Sequence, residues 1–393
     1  MKLSIETLMS HLGEDREKFQ GAVVPPLFQN SLFTFKDWDD IDAAFEERTD
    51  TPIYTRLTNP TTIVAEQKIA ALAGEGYNAR LTASGMAAVS SAILNVISPG
   101  DHIVAVKNIY GPTNNFVNRY LREKMNVTVT FVSGEDASDF ERAIEKNTSL
   151  VILESPSSAI FSLQDIAAVA QLAKHHGITT MIDNTWATPV YQKPLDLGID
   201  IEVHSVSKYI GGHSDIVAGV IISSAARINS IICNESELLG ATIAPFTSWL
   251  ITRSLRTLPM RLDYHQKNAM AVAGFLEEHS CIADVHYPGL PSHPQHDLAL
   301  KQMSGFTGLL GFRLLWTDLD RIKTFFNSLE VFQIGVSWGG HESLIYAPAI
   351  SYLKELPPER FEDLGISFGD MRISVGLENA DDLVCDLARA LDT

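Results

Sequence analysis

The chain has 393 residues, of which 45% are hydrophobic and 20% are charged, and these proportions are typical of a globular protein. Its length is enough for about two domains of roughly 100–200 residues each. The formal net charge of −18 argues against binding to nucleic acids and to anionic membrane surfaces, because both would repel the protein.

The first 55 residues lack a regular alternation of strands and helices. Within them, residues 1–20 carry acidic side chains where a signal peptide requires an apolar stretch, so we expect a cytoplasmic protein. The remainder contains Pro25, Pro26 and several aromatic residues, and a segment of this size is too small for its own core. We therefore expect residues 1–55 to form an extended arm that packs on a neighbouring subunit, which predicts a homo-oligomer.

From about residue 60 to 225, short apolar runs alternate with helical patterns, which predicts a mostly parallel sheet covered by helices. We assign residues 56–240 to this domain. The predicted strands are rich in Val and Ile and cover residues 103–106, 151–153, 179–182, 202–206 and 217–222. None of the apolar runs is long enough for a membrane-spanning helix.

Residues 241–393 are predicted to form a smaller second domain. Apolar residues recur at helical spacing over 261–279, and strands are expected at 308–315 and 371–375. The three cysteines, Cys233, Cys281 and Cys385, lack the spacing of metal ligands, so we expect buried, unpaired thiols and no metal site.

Several polar residues follow the predicted strands of the first domain. Ligands of open α/β sheets bind beyond the carboxyl ends of the parallel strands, so these residues should converge on one crevice. They are Tyr110, the segment from Glu154 to Ser158, Asp183, and the segment from Ser205 to Lys208.

Lys208 has neighbours suited to a carbonyl cofactor. A lysine forms a Schiff base only as the free amine, so it needs surroundings that lower its pKa or accept its proton. The hydroxyls of Ser205 and Ser207 can bind a phosphate, and Gly211 and Gly212 allow a close approach of the backbone. By itself the run is also compatible with a surface lysine in a turn.

The run from Ser205 to Asp215 resembles the lysine signature of the pyridoxal-phosphate (PLP) enzymes of cysteine and methionine metabolism. That family includes the cystathionine lyases, the cystathionine synthases and the methionine lyases. The resemblance implies that Lys208 binds PLP as a Schiff base and that Ser205 and Ser207 bind its phosphate. It also implies the aspartate aminotransferase-like fold, fold type I, with a mostly parallel sheet in a large domain and a smaller C-terminal α/β domain.

Two further motifs resemble the family's phosphate-binding residues. Ser84, Gly85 and Met86 open an alanine-rich helical stretch, and free N–H groups at a helix start can bind phosphate. Tyr54 and Arg56 match a tyrosine and an arginine that reach the phosphate of the neighbouring subunit, which implies a dimer with shared active sites, and we expect a tetramer. A capped helix and a surface turn are the alternative interpretations.

At the cofactor ring, Tyr110 matches the family's stacking tyrosine, whose phenol can also move protons. Asp183 matches the aspartate that keeps the pyridine nitrogen protonated, and the protonated ring is an electron sink. Core packing of the tyrosine and capping of a helix by the aspartate are the alternatives.

At the substrate, Arg372 matches the family's carboxylate clamp, with Ser337 beside it. An isolated arginine on a strand is otherwise often a solvated edge residue. Ser158 and Val336 also match substrate-side positions, but both depart from common family residues. Ser158 replaces an asparagine, and Val336 stands where γ-synthases and γ-lyases usually have glutamate and the enterobacterial β-lyases tyrosine. Pro112 stands where methionine γ-lyases have cysteine.

The resemblance implies a PLP-dependent lyase that catalyses β- or γ-elimination from sulfur-containing or related amino acids, most similar to a cystathionine β-lyase. A γ-lyase or γ-synthase is the alternative, and no residue decides between them. An aminotransferase would usually need a second carboxylate site, and Arg56 is already assigned to the phosphate. A non-catalytic protein would be expected to lack Lys208, Asp183 or Arg372, and all three are present.

Overall fold

The computed structural model of the protein describes residues 3–158, 160–355 and 367–393. Part of the predicted second domain, residues 356–366, lies outside the described residues. The described residues form two sheets, one of seven strands and one of five.

The large sheet has the strand order β1-β7-β6-β5-β4-β2-β3. Its strands are β1 (Tyr77–Thr82), β2 (His102–Val106), β3 (Thr128–Val132), β4 (Thr148–Glu154), β5 (Thr179–Asp183), β6 (Ile201–Ser205) and β7 (Gly219–Ser224). The strands from β2 to β6 pair in parallel, and β7 runs antiparallel to both β1 and β6. The mostly parallel sheet predicted from the sequence is therefore confirmed.

The five predicted strands correspond to β2, β4, β5, β6 and β7, whereas β1 and β3 were not predicted. Strand β1 contains Arg80, a residue unusual for a buried strand. The Arg80 guanidinium donates hydrogen bonds to the backbone oxygens of Leu57, at 2.6 Å, and Arg56, at 2.9 Å. These tertiary contacts satisfy the buried charge.

The second sheet has the order β10-β11-β12-β9-β8. Its strands are β8 (Ile282–His286), β9 (Leu309–Leu314), β10 (Gln333–Ile334), β11 (Leu344–Tyr346) and β12 (Asp370–Ser374). Strands β10 and β11 are parallel, and the other pairs are antiparallel. The predicted strands at 308–315 and 371–375 correspond to β9 and β12.

Helices connect the strands and bury their apolar faces against two separate hydrophobic cores, one around each sheet. The α-helices are α1 (Ile5–His11), α2 (Trp38–Glu46), α3 (Pro60–Ala73), α4 (Gly85–Leu94), α5 (Gly111–Asn115), α6 (Arg122–Met125), α7 (Ala137–Ala143), α8 (Ile166–His176), α9 (Thr188–Tyr191), α10 (Ala225–Ile231), α11 (Glu237–Leu239), α12 (Pro245–Leu255), α13 (Leu258–Glu278), α14 (His296–Gln302), α15 (Leu319–Ser328), α16 (Ala349–Glu355) and α17 (Ala380–Leu391). Helix α13 corresponds to the helix predicted at 261–279. Within the described ranges, no helix is both long and apolar enough to cross a membrane.

The amino-terminal segment is less extended than the sequence predicts, because it contains α1 and α2. Met9 in α1 is fully buried, and the Lys68 Nζ donates to its backbone oxygen at 2.7 Å. The Glu14 carboxylate pairs with Lys68 at 3.2 Å and with Arg256 at 2.9 Å. The first part of the arm therefore packs on its own chain, while the irregular residues 20–37 expose Val23, among other apolar side chains. Contact of this segment with a neighbouring subunit stays a prediction.

The cysteines are not all buried as expected. Cys233 and Cys281 are half-buried, and Cys385 is exposed; all three are free thiols. Cys385 lies on the amphipathic helix α17, and its position falls on the face that is turned away from the core.

Candidate active site

The carboxyl ends of β4, β5 and β6 meet at one edge of the large sheet. These strands end at Glu154, Asp183 and Ser205, and Glu154 lies directly opposite Asp183 in the strand register. Tyr110 follows β2 and joins the group because its backbone N–H donates to the Glu154 Oε2 at 2.7 Å. Parallel strands thus bring together residues that lie far apart in the sequence.

Lys208 lies in the loop that follows β6. Its Nζ donates a hydrogen bond to the Ser337 Oγ at 2.8 Å and lies 5.4 Å from the centre of the Trp338 ring. Burial and the positive charge of Arg372 lower the pKa of Lys208, and the negative charge of Asp183 opposes them. The amine therefore loses its proton more readily than that of an exposed lysine.

Arg261 of α13 holds the loop that carries Lys208. The buried Arg261 guanidinium donates to the backbone oxygen of Tyr209 at 2.7 Å and to the Ser254 Oγ at 3.0 Å. Gly212 has a φ of +66°, and a Cβ there would lie 1.9 Å from the Arg261 Nη1. Arg261 was missed in the sequence because it is remote from Lys208 along the chain and belongs to no local motif.

Asp183 is held in place by Thr185. The Asp183 Oδ1 accepts hydrogen bonds from the Thr185 N–H at 3.0 Å and from the Thr185 Oγ1 at 2.5 Å. Thr185 Oγ1 in turn accepts from the Ser205 N–H at 2.9 Å, which links the ends of β5 and β6. Burial raises the pKa of Asp183, and the hydrogen bonds from Thr185 and the charges of His204 and Lys208 oppose that rise. Among the described residues, none donates a hydrogen bond to the Asp183 Oδ2.

Glu154 joins two predicted site residues. Its Oε1 and the Ser158 Oγ form a short hydrogen bond, and its Oε2 accepts from the Tyr110 N–H. Burial and the neighbouring Asp183 raise the pKa of Glu154 to about 8. The sequence placed Glu154 after a strand but gave no signal of a role for it.

The first turn of α4 packs against Ser205. The Ser84 Oγ accepts a hydrogen bond from the Ala87 N–H at 3.0 Å and so caps the helix. Gly85 and Met86 follow it with their N–H groups at the helix start, where the helix dipole favours an anion. A Cβ at Gly85 would lie 2.9 Å from the Ser205 Cβ, so this close approach requires glycine.

Ser207 also contributes to the loop itself. Its Oγ accepts from the Ala218 N–H at 3.0 Å and donates to the Ala218 backbone oxygen at 3.3 Å. This pairing keeps Ala218 in the loop, which accounts for the start of β7 at Gly219 rather than at the predicted residue 217.

Arg372 lies on β12, in the second sheet. Its Nη2 donates to the Val336 backbone oxygen at 2.5 Å, and its Cζ lies 5.1 Å from the centre of the Tyr346 ring. Burial lowers the pKa of Arg372. Val336 is 74% exposed and lies just after strand β10.

Tyr54 and Arg56 contact each other, and no described hydrogen bond joins their side chains to this group. The Arg56 Cζ lies 5.4 Å from the centre of the Tyr54 ring, and both side chains are exposed. Within the described ranges, neither side chain hydrogen-bonds to the residues around Lys208. The other predicted site residues lie around the sheet edge that carries Lys208.

The groups around Lys208 suit a phosphorylated pyridine aldehyde. The Lys208 amine can bind a carbonyl, the free Asp183 Oδ2 can accept a hydrogen bond from a ring nitrogen, and the start of α4 can bind a phosphate. The Tyr110 ring is exposed and can stack on an aromatic ring. In the part of the chain that the structure describes, no cluster of His, Cys, Asp or Glu could hold a metal ion.

Solved structures share this architecture over the whole chain. A structure from Campylobacter jejuni that contains N′-pyridoxyl-lysine-5′-monophosphate has a TM-score of 0.92 and 30% identity, covering 100% of both chains. A cystathionine gamma synthase from Xanthomonas oryzae, in complex with aminoacrylate and cysteine, has a TM-score of 0.92 and 34% identity, covering 100% of this chain and 98% of that one. Together with the site, they define the class as a PLP-dependent enzyme of fold type I, as the sequence predicted.

The family model for Cys/Met metabolism PLP-dependent enzymes matches residues 6–392, and the chain therefore belongs to that family. The L-methionine gamma-lyase of Treponema denticola is 39% identical over 100% of this chain and 97% of its own. The cystathionine beta-lyase of Lactococcus lactis is 38% identical over 99% of both chains. The predicted cofactor and the predicted class of PLP-dependent lyase are confirmed.

Proposed function

We propose that this protein is a carbon–sulfur lyase that eliminates a thiol from a sulfur-containing amino acid, with Lys208 as its acid–base residue. The observation that carries the proposal is the position of the Lys208 Nζ. It lies 2.8 Å from the Ser337 Oγ, and the charges of Arg372 and Asp183 act on its pKa in opposite directions. Because burial and Arg372 lower the pKa of Lys208, its amine gives up its proton and acts as a base more readily than that of an exposed lysine.

The chain's residues would hold PLP from three sides. Bound PLP supplies an electron sink for the bonding electrons of the substrate α-carbon. Lys208 would bind it covalently, the Asp183 Oδ2 would bind its ring nitrogen, and Tyr110 would pack on its ring. Its phosphate would be bound by Ser84, Gly85, Met86, Ser205 and Ser207, and by Tyr54 and Arg56 of a neighbouring subunit.

The substrate carboxylate would bind to Arg372. The hydrogen bond from the Arg372 Nη2 to the Val336 backbone oxygen fixes the guanidinium, whose remaining N–H groups can bind two carboxylate oxygens. Ser337 binds the same carboxylate. Lys208 then takes the proton from the substrate α-carbon and donates a proton to the departing sulfur.

The first candidate reaction is β-elimination from cystathionine, which gives homocysteine, pyruvate and ammonia. The likeness to the cystathionine beta-lyase of Lactococcus lactis supports it. Two runs of the sequence that resemble the bacterial β-lyases also support it, Asp183-Asn184-Thr185-Trp186 and Ser337-Trp338-Gly339-Gly340. Trp338 lies beside the Lys208 amine, and its ring would border the bound amino acid.

A second candidate, γ-elimination from methionine, is favoured by Val336. This side chain is apolar and exposed beside Arg372 and carries no charge to pair with a distal ammonium group. A neutral thioether tail suits such a surface better than the charged tail of cystathionine. The likeness to the L-methionine gamma-lyase of Treponema denticola also supports this candidate.

Product analysis distinguishes the candidates. The purified enzyme would be incubated separately with cystathionine and with methionine, and the keto acids and thiols would be quantified. Pyruvate with homocysteine from cystathionine supports β-elimination, whereas 2-oxobutyrate with methanethiol from methionine supports γ-elimination. If neither substrate gives a keto acid and a thiol, the proposed function is wrong.

We also propose a cytoplasmic homo-oligomer, a dimer with shared sites that assembles into a tetramer. Exposed apolar side chains in and near the arm support an interface there, among them Leu32, Trp38 and Phe45. The domains are proposed at residues 1–55 for the arm, 56–240 for the PLP-binding domain and 241–393 for the C-terminal domain. The two separate hydrophobic cores support the last two.

A further inference from the structure

The active-site edge of the sheet carries a buried carboxyl group, Glu154, beside a half-buried one, Asp183. Glu154 and Asp183 are the last residues of adjacent parallel strands and face each other in the register. Two carboxylates this close in a poorly solvated place repel each other, so such pairs hold one proton between them. The hydrogen bonds around the pair determine which residue holds that proton.

The hydrogen-bond partners of Asp183 suit a charged carboxylate. The Asp183 Oδ1 accepts both donors of Thr185, and the positive charge of Lys208 lies nearby. A protonated Asp183 would carry its hydrogen on Oδ2, and no described residue accepts a hydrogen bond there. The two hydrogen bonds from Thr185 and the charge of Lys208 therefore favour the anion of this half-buried carboxyl group.

Burial and Asp183 favour a protonated Glu154, and its hydrogen-bond partners, which by themselves lower its pKa, can still accommodate the neutral form. The Glu154 Oε2 accepts from the Tyr110 N–H, which can only donate. Its Oε1 pairs with the Ser158 hydroxyl, which can donate or accept. A proton on Oε1 can therefore be donated to the Ser158 Oγ, and both oxygens of a neutral Glu154 remain paired.

We propose that Glu154 is a positioning residue that holds the proton of the carboxyl pair, so that Asp183 keeps the negative charge. Glu154 then donates to Ser158, frees the hydroxyl hydrogen of Ser158 to point into the site, and fixes the backbone of Tyr110. The consequence for catalysis rests on the proposed function, because it assumes that Asp183 binds the cofactor ring. The division of the proton between the two carboxyl groups does not depend on the proposed function.

The surrounding charges agree with this division. Burial and Asp183 raise the pKa of Glu154 to about 8, so the neutral form prevails at pH 7. Asp183 is the charged group that raises the pKa of Glu154. Tyr110 contacts Glu154 only through its backbone N–H. The cations of the site, Lys208 and Arg372, and the neighbouring His204 act on Asp183 and Tyr110.

Infrared difference spectroscopy of the holoenzyme tests the proposal. The spectrum of the Glu154→Gln variant would be subtracted from that of the unaltered protein at pH 7, and a carbonyl stretch of a protonated carboxyl group should remain. That band should disappear as the pH rises above about 8. If the difference spectrum instead shows the bands of a charged carboxylate and no carbonyl band, the proposal is overturned.

Isotope labelling provides a second measurement that needs no variant at this position. A carbonyl band that shifts when glutamate carries a ¹³C carboxyl group supports Glu154, whereas a shift on aspartate labelling places the proton on Asp183 and overturns the proposal. Glu235→Gln is the matched control, since Glu235 is another buried carboxyl group, bound by the Asn95 amide at the far end of α4. This variant should leave the Glu154 band in place. The bands do not depend on turnover, so the proposal can fail while the lyase function stands.

Discussion

The pKa of Lys208 depends on its surroundings. Burial and the positive charge of Arg372 lower it, and the negative charge of Asp183 raises it. The covalent attachment of PLP requires the neutral amine. The rate at which the apo-protein binds the cofactor should therefore rise with pH until the Lys208 amine is deprotonated.

We predict that Arg372→Gln shifts this pH profile to higher pH, because it removes a positive charge that disfavours the protonated amine. The rate would be followed by the absorbance of the bound cofactor after mixing at a series of pH values. Arg321→Gln is a suitable control, since Arg321 stacks on the Trp316 ring outside the site. An unshifted profile in Arg372→Gln would show that Arg372 does not act on Lys208.

Val336 allows a prediction about the substrate tail. Its side chain is exposed beside the carboxylate-binding Arg372, and Val336→Glu places a negative charge there. We predict a rise of roughly fivefold in the ratio of kcat/KM for cystathionine to that for methionine, since an exposed ion pair contributes about 1 kcal/mol. Leu315→Glu alters another exposed apolar residue and should leave the ratio unchanged. If the ratio is the same in Val336→Glu and in the unaltered enzyme, Val336 does not contact the substrate tail.

At the scale of elements, the contact between α4 and β6 shapes the phosphate end of the site. We predict that Gly85→Ala lowers the affinity for PLP, because the new Cβ would lie 2.9 Å from the Ser205 Cβ and would push the helix start away. Equilibrium titration of the apo-protein with PLP measures the effect. Gly274→Ala is the matched control, because a Cβ at Gly274 in α13 meets no atom within 4 Å. This control should bind PLP normally and gain up to about 1 kcal/mol of stability from its helix propensity. Equal affinities in the two variants would contradict the packing argument.

The elements that the sequence predicted are those whose signal is local. Strands β4 and β5 contain the apolar segments 150–153 and 181–182 in a buried parallel sheet, and their polar last residues end those segments. Strand β1 was missed because the carbonyl groups that pair with Arg80 come from another part of the chain.

The same distinction applies to the site residues. Lys208 and Asp183 could be predicted as site residues because each belongs to a short motif. The contacts of Glu154 with Tyr110 and of Arg261 with Tyr209 depend on the folded chain and have no local pattern. Sequence alone therefore led to a prediction of the chemical groups but not of the residues that contact them.

At the scale of the whole molecule, the positions of Tyr54 and Arg56 lead to a test of shared active sites. Both side chains are exposed, and no described hydrogen bond joins them to the Lys208 group of their own chain. If each site takes these residues from a neighbour, the variants Arg56→Ala and Lys208→Ala should complement each other. Mixing the two under conditions that exchange subunits should restore about a quarter of the full activity, because random pairing gives hybrids with one intact site. Mixed subunits that stay inactive would contradict a shared site, and Lys208→Ala mixed with itself is the control.

The proposed function depends most directly on the covalent link between Lys208 and PLP. Reduction of the holoenzyme with borohydride, followed by mass spectrometry of its peptides, would locate the modified lysine. The predicted result is a single pyridoxyl phosphate group on Lys208, and its absence from Lys208→Ala. A group bound to a different lysine, or Lys208→Ala protein with the same reducible absorbance as the unaltered enzyme, would contradict the assignment.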